Sequence, residues 1–231
     1  MTAGWRCRLE SLPWTPPSDP GGRVLVLSAH PDDEVLAVGG WLAGQTARDV
    51  TFVTATDGEA SHPDSPTVSP DQLRATRPGE LVSALQMLGF ATPDVRRLGL
   101  RDGGLTEAFD GLLAALEPLV AQADLVLAPF ESDGHPDHDA VGRAAVTLRG
   151  VDTVLWRFPV WTWAWTEPDR QSWLPDLRRL DCSSVARVRK RRAIDAFVTQ
   201  VTALSEDPAD AAVVSGVLLD HARYAPEVVL A

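Results

Sequence analysis

The stretch VLVLSAHPDDEVLAVGGWLAG, residues 24–44, decides how the chain is to be read. Its first five residues run without apolar–polar alternation, which suits a strand buried on both faces rather than one with a wet side. The chain then turns through AHPDDE, 29–34, and continues into VLAVGGWLAG, which is amphipathic and helical. The same kind of run recurs as VTFVTA at 50–55, DLVLAPF at 124–130 and VDTVLWRF at 151–158. Helical periodicity covers 34–48, 71–88, 106–122 and 138–148 in between. Strand and helix therefore alternate. That order predicts an α/β fold, a doubly wound, mainly parallel, Rossmann-like sheet with helices on both faces and ligands beyond the carboxyl ends of the strands.

Outward from this frame the signals weaken. Residues 1–22 hold Pro13, Pro16, Pro17, Pro20, Gly21 and Gly22, a composition that resists regular structure and predicts an N-terminal arm lying over a single α/β domain, 23–231. After residue 158 comes PVWTWAWTEPDRQSWLP, in which Trp161, Trp163 and Trp165 alternate as in a strand with a wide aromatic face. The fold thus gains a C-terminal Trp-rich strand, followed by a helical extension at 183–201. The tryptophans at 156–173 suit core or inter-subunit packing, or an aromatic wall against a sugar ring or an acyl chain. The basic run 189–192 reads as a solvated helix face. The polar, Pro-rich segment 61–72 reads as a loop able to act as a lid, with His62 solvated in it.

Composition narrows the function. With 45% hydrophobic and 23% charged residues in 231, the chain is an ordinary globular one. Its 21 Lys and Arg against 32 Asp and Glu give a net charge of -11, a field that repels phosphate backbones and anionic lipid, so neither nucleic acid nor membrane is an expected partner. Cys7 and Cys182 fit no redox or metal spacing. No signal-like core and no apolar run near the roughly 18 residues of a membrane helix is found, so a cytoplasmic location is expected. A homo-oligomer is left open.

The chemistry gathers at two turns. His30 and Asp33 lie three residues apart where the first strand meets its helix, so both can reach one ion. Asp32 lies between them, and three acids in a row, Asp32, Asp33 and Glu34, repel one another unless a cation neutralises the cluster. After the strand at 124–130, ESDGHPDHDAVG repeats the arrangement with His135 and His138. In a parallel sheet both turns lie on one edge, so the second can add a third ligand and a catalytic histidine to a site that keeps a position open for water. One His-Pro-Asp turn alone reads as a capped helix start; two, each after a buried strand, do not.

AHPDDE at 29–34 and HPDH at 135–138 resemble the two signature motifs of the LmbE-like or PIG-L-type N-acetylglucosaminyl deacetylases, which include the deacetylases of mycothiol and bacillithiol synthesis. TDGEA at 56–60, RPGELVSALQMLGF at 77–90, LGLRDGGL at 98–105 and the KRRAIDAFVTQ stretch extend the resemblance over roughly 23–201. The resemblance implies a zinc ion (Zn2+, or another divalent transition metal) bound by His30, Asp33 and His138. It further implies Asp32 as general base toward the attacking water and His135, as imidazolium, facing the oxyanion. Asp137 suits either a second-shell carboxylate orienting an imidazole or a helix N-cap. Arg77 and Asp102 match substrate-binding positions. Pro78 disfavours helical geometry at Arg77 and suits the start of a helix pointing that side chain into a cleft, against the plain alternative of an ion pair with Glu80. The expected reaction is hydrolysis of the N-acyl, in the family N-acetyl, amide of a small amino sugar or glycoside. An amidase acting on a non-sugar or thiol-conjugate amide, and a non-catalytic sugar- or nucleotide-binding module, stand as the alternatives.

Overall fold

The computed structural model of the chain describes residues 3–11, 15–168 and 171–231. Pro13 of the expected arm and residues 169–170 of the Trp-rich stretch lie outside them. Five parallel strands follow the apolar runs and one short polar segment: β1 (Val24–Ser28), β2 (Val50–Thr54), β3 (Asp94–Arg97), β4 (Leu125–Pro129) and β5 (Val154–Phe158). Two short strands, β6 (Leu177–Arg179) and β7 (Val228–Leu230), complete a seven-stranded sheet in the order β3-β2-β1-β4-β5-β7-β6, with β7 antiparallel to both its neighbours. The edge strand β3 reads DVRR and is largely exposed, and charges on an exposed edge discourage pairing with another sheet.

β1 and β4 are buried along their whole length. Successive side chains feed two cores: Val24 and Val26 face one with Phe52, Leu125 and Leu127, while Leu25 and Leu27 face the other with Val53 and Val126. The helices are α1 (Ala3–Glu10), α2 (Asp33–Leu42), α3 (Pro70–Leu88), α4 (Phe109–Val120), α5 (Pro136–Leu148), α6 (Thr162–Trp165), α7 (Ser184–Ile194), α8 (Val198–Val201) and α9 (Gly216–Tyr224). Apolar residues of α2, α3 and α7 cover the first core and those of α4 and α5 the second. α5 lies so close to the chain leaving β4 that a Cβ on Gly142 would meet the Pro129 carbonyl oxygen at 2.5 Å. Glycine is therefore required where the helix carrying His138 crosses its own strand.

Four sequence expectations change. The segment expected to resist regular structure contains α1, whose Trp5 is fully buried between Trp163 and Trp173. The alternating tryptophans form the helical turn α6, not a strand, because the buried Asp133 carboxylate accepts the backbone N–H groups of Val160, Trp161 and Thr162. An acceptor at a helix start satisfies the donors that have no partner within the helix. Arg77 and Pro78 lie inside α3, not at its start: the capping box of Ser69 and Gln72, with Pro70 at the first position, begins the helix earlier. The Arg74 carbonyl that Pro78 cannot pair takes the Arg97 Nη2 instead, at 3.4 Å.

The basic run is not wholly solvated either. Lys190 is buried and its Nζ lies 2.7 Å from Glu227 Oε1. Glu227 also accepts the N–H groups of Gly40 and Trp41, at 2.7 and 2.8 Å, so one carboxylate joins α2, α7 and the chain entering β7. Removing one partner of a buried, hydrogen-bonded pair leaves the other uncompensated, at about 3–5 kcal/mol. Glu227→Ala is expected to lower unfolding free energy by about that amount in urea titration, whereas exposed Asp71→Ala changes it by less than about 1 kcal/mol.

Candidate active site

Because β4 returns beside β1 after β2 and β3 have been laid on the other side, the strand order reverses between β1 and β4. A crevice opens there at the carboxyl ends, where ligands bind in open α/β sheets. The loops after β1, β2, β3, β4 and β5 all contribute to a cleft of about 370 Å³, lined among others by His30, Asp32, Asp33, Ser61, Arg77, Asp102, His135, Trp161 and Trp165.

The two turns meet as the spacing predicts. His30 Nδ1 lies 3.3 Å from His138 Nε2, and Asp33 Oδ1 lies 3.1 Å from the same nitrogen. Asp33 is fixed by its own turn, its Oδ2 accepting the N–H groups of Ala29 and His30 at 2.9 and 3.0 Å. One ligand atom from each of His30, Asp33 and His138 falls within 4.8 Å of the others, a separation one cation can bridge. A second trio, His30, His135 and Asp137, meets the same limit. Its carboxylate, however, is already engaged by the N–H groups of Gly103 and Leu105, at 2.7 and 3.1 Å. The first trio is the better donor set. His138 turns Nδ1 toward Asp133 Oδ2, 2.9 Å away though bent from a linear hydrogen bond, which leaves Nε2 facing Asp33 and His30.

The remaining candidates divide by what already holds them. Asp32 is the residue before α2, yet its side chain makes no capping hydrogen bond and instead lines the cleft. Burial, reinforced by Asp33, pushes its carboxyl up to about 7. Glu34 does not join the cleft: it accepts the Ser28 hydroxyl, and burial pushes it up to about 8. Burial would depress His138, but Asp33 and Asp133 outweigh it and raise the imidazole to about 9. Burial and the rings of His138 and His30 pull His135 down to about 4. Asp137 is not the N-cap of α5. His135 is, its Nδ1 accepting the Asp137 N–H at 3.2 Å, while the Asp137 carboxylate stands 3.5 Å from His30 Nε2.

Arg77 is buried and pairs with no surface Glu80. Its Nη1 and Nη2 donate to the Gly58 carbonyl and the Ser61 hydroxyl, at 2.6 and 2.7 Å. Glu80 instead accepts from the Thr199 N–H and hydroxyl, both at 2.8 Å. Asp102 Oδ1 lies 3.1 Å from His30 Nε2, and its Oδ2 accepts the Ala60 N–H at 2.7 Å. The loop read as a lid is fastened down: Asp210 accepts the hydroxyls of Ser65, Thr67 and Ser205. His62 is buried rather than solvated, with Nε2 3.2 Å from the Ala211 carbonyl.

Sequence reasoning passed over Asp133 and Gln200. Asp133 sits two residues before His135 in the quoted ESDGHPDH, where any acid looks like turn chemistry. Gln200, which donates to the Pro31 carbonyl at 2.7 Å and lines the cleft, arrives from far along the chain.

The sequence profile of the family described as PIG-L, GlcNAc-PI de-N-acetylase, matches residues 25–148, more than half of the chain. The chain belongs to this family. It is 32% identical over 170 residues to a 1D-myo-inositol 2-acetamido-2-deoxy-alpha-D-glucopyranoside deacetylase of Mycolicibacterium gilvum, covering 62% of this chain and 59% of the relative, so it spans about three fifths of that protein's length. Among solved structures it resembles the N,N'-diacetylchitobiose deacetylase of Pyrococcus horikoshii, with TM-score 0.58, 21% identity, and 77% and 70% of the two chains covered. It also resembles a 4-carboxy-2-hydroxymuconate hydratase of Pseudomonas putida, with TM-score 0.55, 19% identity, and 78% and 80% covered. The shared fold alone therefore does not define a reaction.

Asp133 gives the site a testable support. It holds the backbone of 160–162 and stands against His138, and outer partners of metal-binding histidines are worth roughly 10–100-fold in metal affinity. For a divalent ion held through His138, Asp133→Ala should lower affinity by about that factor in a chelator competition. Asp133→Asn should do nearly as badly, since its amide nitrogen cannot accept the N–H groups that the carboxylate accepts.

Proposed function

We propose that the chain hydrolyses the N-acyl amide of an amino sugar or glycoside, releasing a carboxylate and a free amine, with one zinc ion held by His30, Asp33 and His138. The observation that carries the reading is a pair of groups beside that donor set, Asp32 with its carboxylate free and His135 with Nδ1 capping α5 and Nε2 left to act. Asp32 stands where a cap belongs and does not cap, and His135 edges the His30 ring at a centroid distance of 4.9 Å. The donor set fits the ion chemically: two imidazoles and one carboxylate are a catalytic zinc set, and Asp102, Asp133 and Asp137 around them leave the cluster with more negative than positive charge. Bound there, zinc supplies Lewis acidity toward an amide oxygen and brings the pKa of water toward neutrality.

The chain's own groups do the rest. Asp32 accepts a proton from the attacking water and returns it to the leaving amine. His135, whose Nδ1 accepts the Asp137 N–H, keeps its proton on Nε2 and donates it as a hydrogen bond where negative charge develops on the former carbonyl oxygen. This neutral donor replaces the imidazolium expected from the resemblance. Asp102 and Arg77 bind hydroxyl or anionic groups of the amine portion, besides holding His30 and the loop after β2. The name of the Mycolicibacterium gilvum relative, a deacetylase of a 2-acetamido glucopyranoside, supports an amino-sugar substrate.

Purified, metal-defined protein assayed for free amine against N-acylglucosamines and their glycosides tests the reading. Asp32→Ala and His135→Ala are expected to retain about one ion per chain by elemental analysis while kcat/KM falls roughly 10²–10⁴-fold. Near-normal rates in both would remove the mechanism, and loss of metal in Asp32→Ala would exchange the roles of Asp32 and Asp33. Asp102→Ala should lower kcat/KM more for the full sugar than for a truncated amide that cannot reach it; equal losses would reduce Asp102 to a support for His30.

A further inference from the structure

We propose that the cleft accepts an acyl group longer than acetyl, which lies against a wall made by Trp161 and Trp165; this deepens, and rests on, the amide-hydrolase reading above. The cleft is lined by two unlike sets of side chains. Around His30 stand Asp102, Arg77 and Ser61, which can meet hydroxyls. The second set is Trp161, Trp165, Val160, Val214 and Leu218, whose side chains offer no acceptor to a hydroxylated ring.

The two indoles stack on each other with centroids 4.6 Å apart and planes 19° from parallel, and Trp165 is 54% exposed. An indole left in water on a cleft wall is apolar area still to be covered. This one is also held in place. Asp133 accepts the N–H groups of 160–162, and Trp163 on the far side of the turn packs edge-on against Trp5 at 4.9 Å. Trp5 in turn donates to the Thr166 carbonyl at 2.9 Å. A rigid wall loses little freedom when a ligand settles on it.

Position decides which part of the substrate meets it. The His135 ring lies near parallel to both indoles, at 6.2 and 6.3 Å. His135 faces the amide oxygen in the proposed reaction, and of the two groups bonded to that carbonyl carbon the amine portion is taken by Asp102 beside His30, which leaves the acyl chain to run along the wall next to His135. The hydroxyls of the amine portion have Asp102 beside His30.

Steady-state kinetics of the metal-loaded full chain on N-acetyl-, N-butanoyl- and N-hexanoylglucosamine should give kcat/KM rising by about four-fold for each buried methylene. In Trp165→Ala the hexanoyl-to-acetyl ratio should collapse toward one, with Trp165→Phe keeping most of it. Calorimetric binding of acetate, butanoate and hexanoate reads the wall without turnover: hexanoate should bind at least about ten-fold tighter than acetate, and this advantage should vanish in Trp165→Ala. A flat or falling series in both measurements would overturn the proposal, as would a preference that follows an apolar group at the anomeric position instead of the acyl chain. If no amide is cleaved while hexanoate is still favoured through Trp165, the hydrolase reading fails and the wall stands.

Discussion

β1 and β4 lie about a hundred residues apart in the chain yet pair in parallel, Val24 against Leu125 through Val26 against Leu127. Each ends in a polar turn opening a helix, so this one pairing sets His30 and His138 3.3 Å apart. The register matters as much as the adjacency. A slip of one residue would send Leu25 and Leu27 into the core meant for Val24 and Val26, and would turn every side chain of the strand over. The buried strands thus fix the relative position of two loops that have little internal means of finding each other. Gly142 completes the constraint by letting α5 lie against the chain just beyond β4.

The cleft inherits its electrostatics from this forced meeting. Carboxylates from the β1, β3 and β4 loops surround His30 and His138, and these imidazoles together with backbone N–H groups keep Asp33, Asp102, Asp133 and Asp137 ionised against their burial. Burial magnifies the effect, since charges removed from water interact more strongly and cost more when unpaired. Such a cluster sets buried like charges close together. It costs folding energy, and the apolar packing of two cores and pairs such as Lys190 and Glu227 offset that cost elsewhere in the chain.

Much of this was legible in the sequence. Continuous apolar runs at 24–28 and 125–129 can be little else than strands buried on both faces, and the spacing of His30, Asp33, His135 and His138 survives intact because it is local to two turns. What was not legible depends on partners distant in sequence. Whether W-T-W-A-W forms a strand or a helical turn is decided by the carboxylate of Asp133, and no period within the segment records it. Pro78 reads as the start of a helix until a capping box several residues earlier and Arg97 on the neighbouring strand are taken into account. His62 and Lys190 look like surface residues because what buries them, Ala211 and Glu227, lies far downstream.

The fastening of the 61–69 loop has a consequence for how the protein tolerates change. Three hydroxyls, from Ser65, Thr67 and Ser205, converge on one acceptor, Asp210, which lies beside the carbonyl that takes His62. On the donor side, losing one hydroxyl leaves two others on Asp210, although Ser65 and Ser205 also accept backbone N–H groups of Thr67, Val68 and Asp207. On the acceptor side there is no spare. Asp210 is therefore the position whose loss frees all three hydroxyl contacts at once.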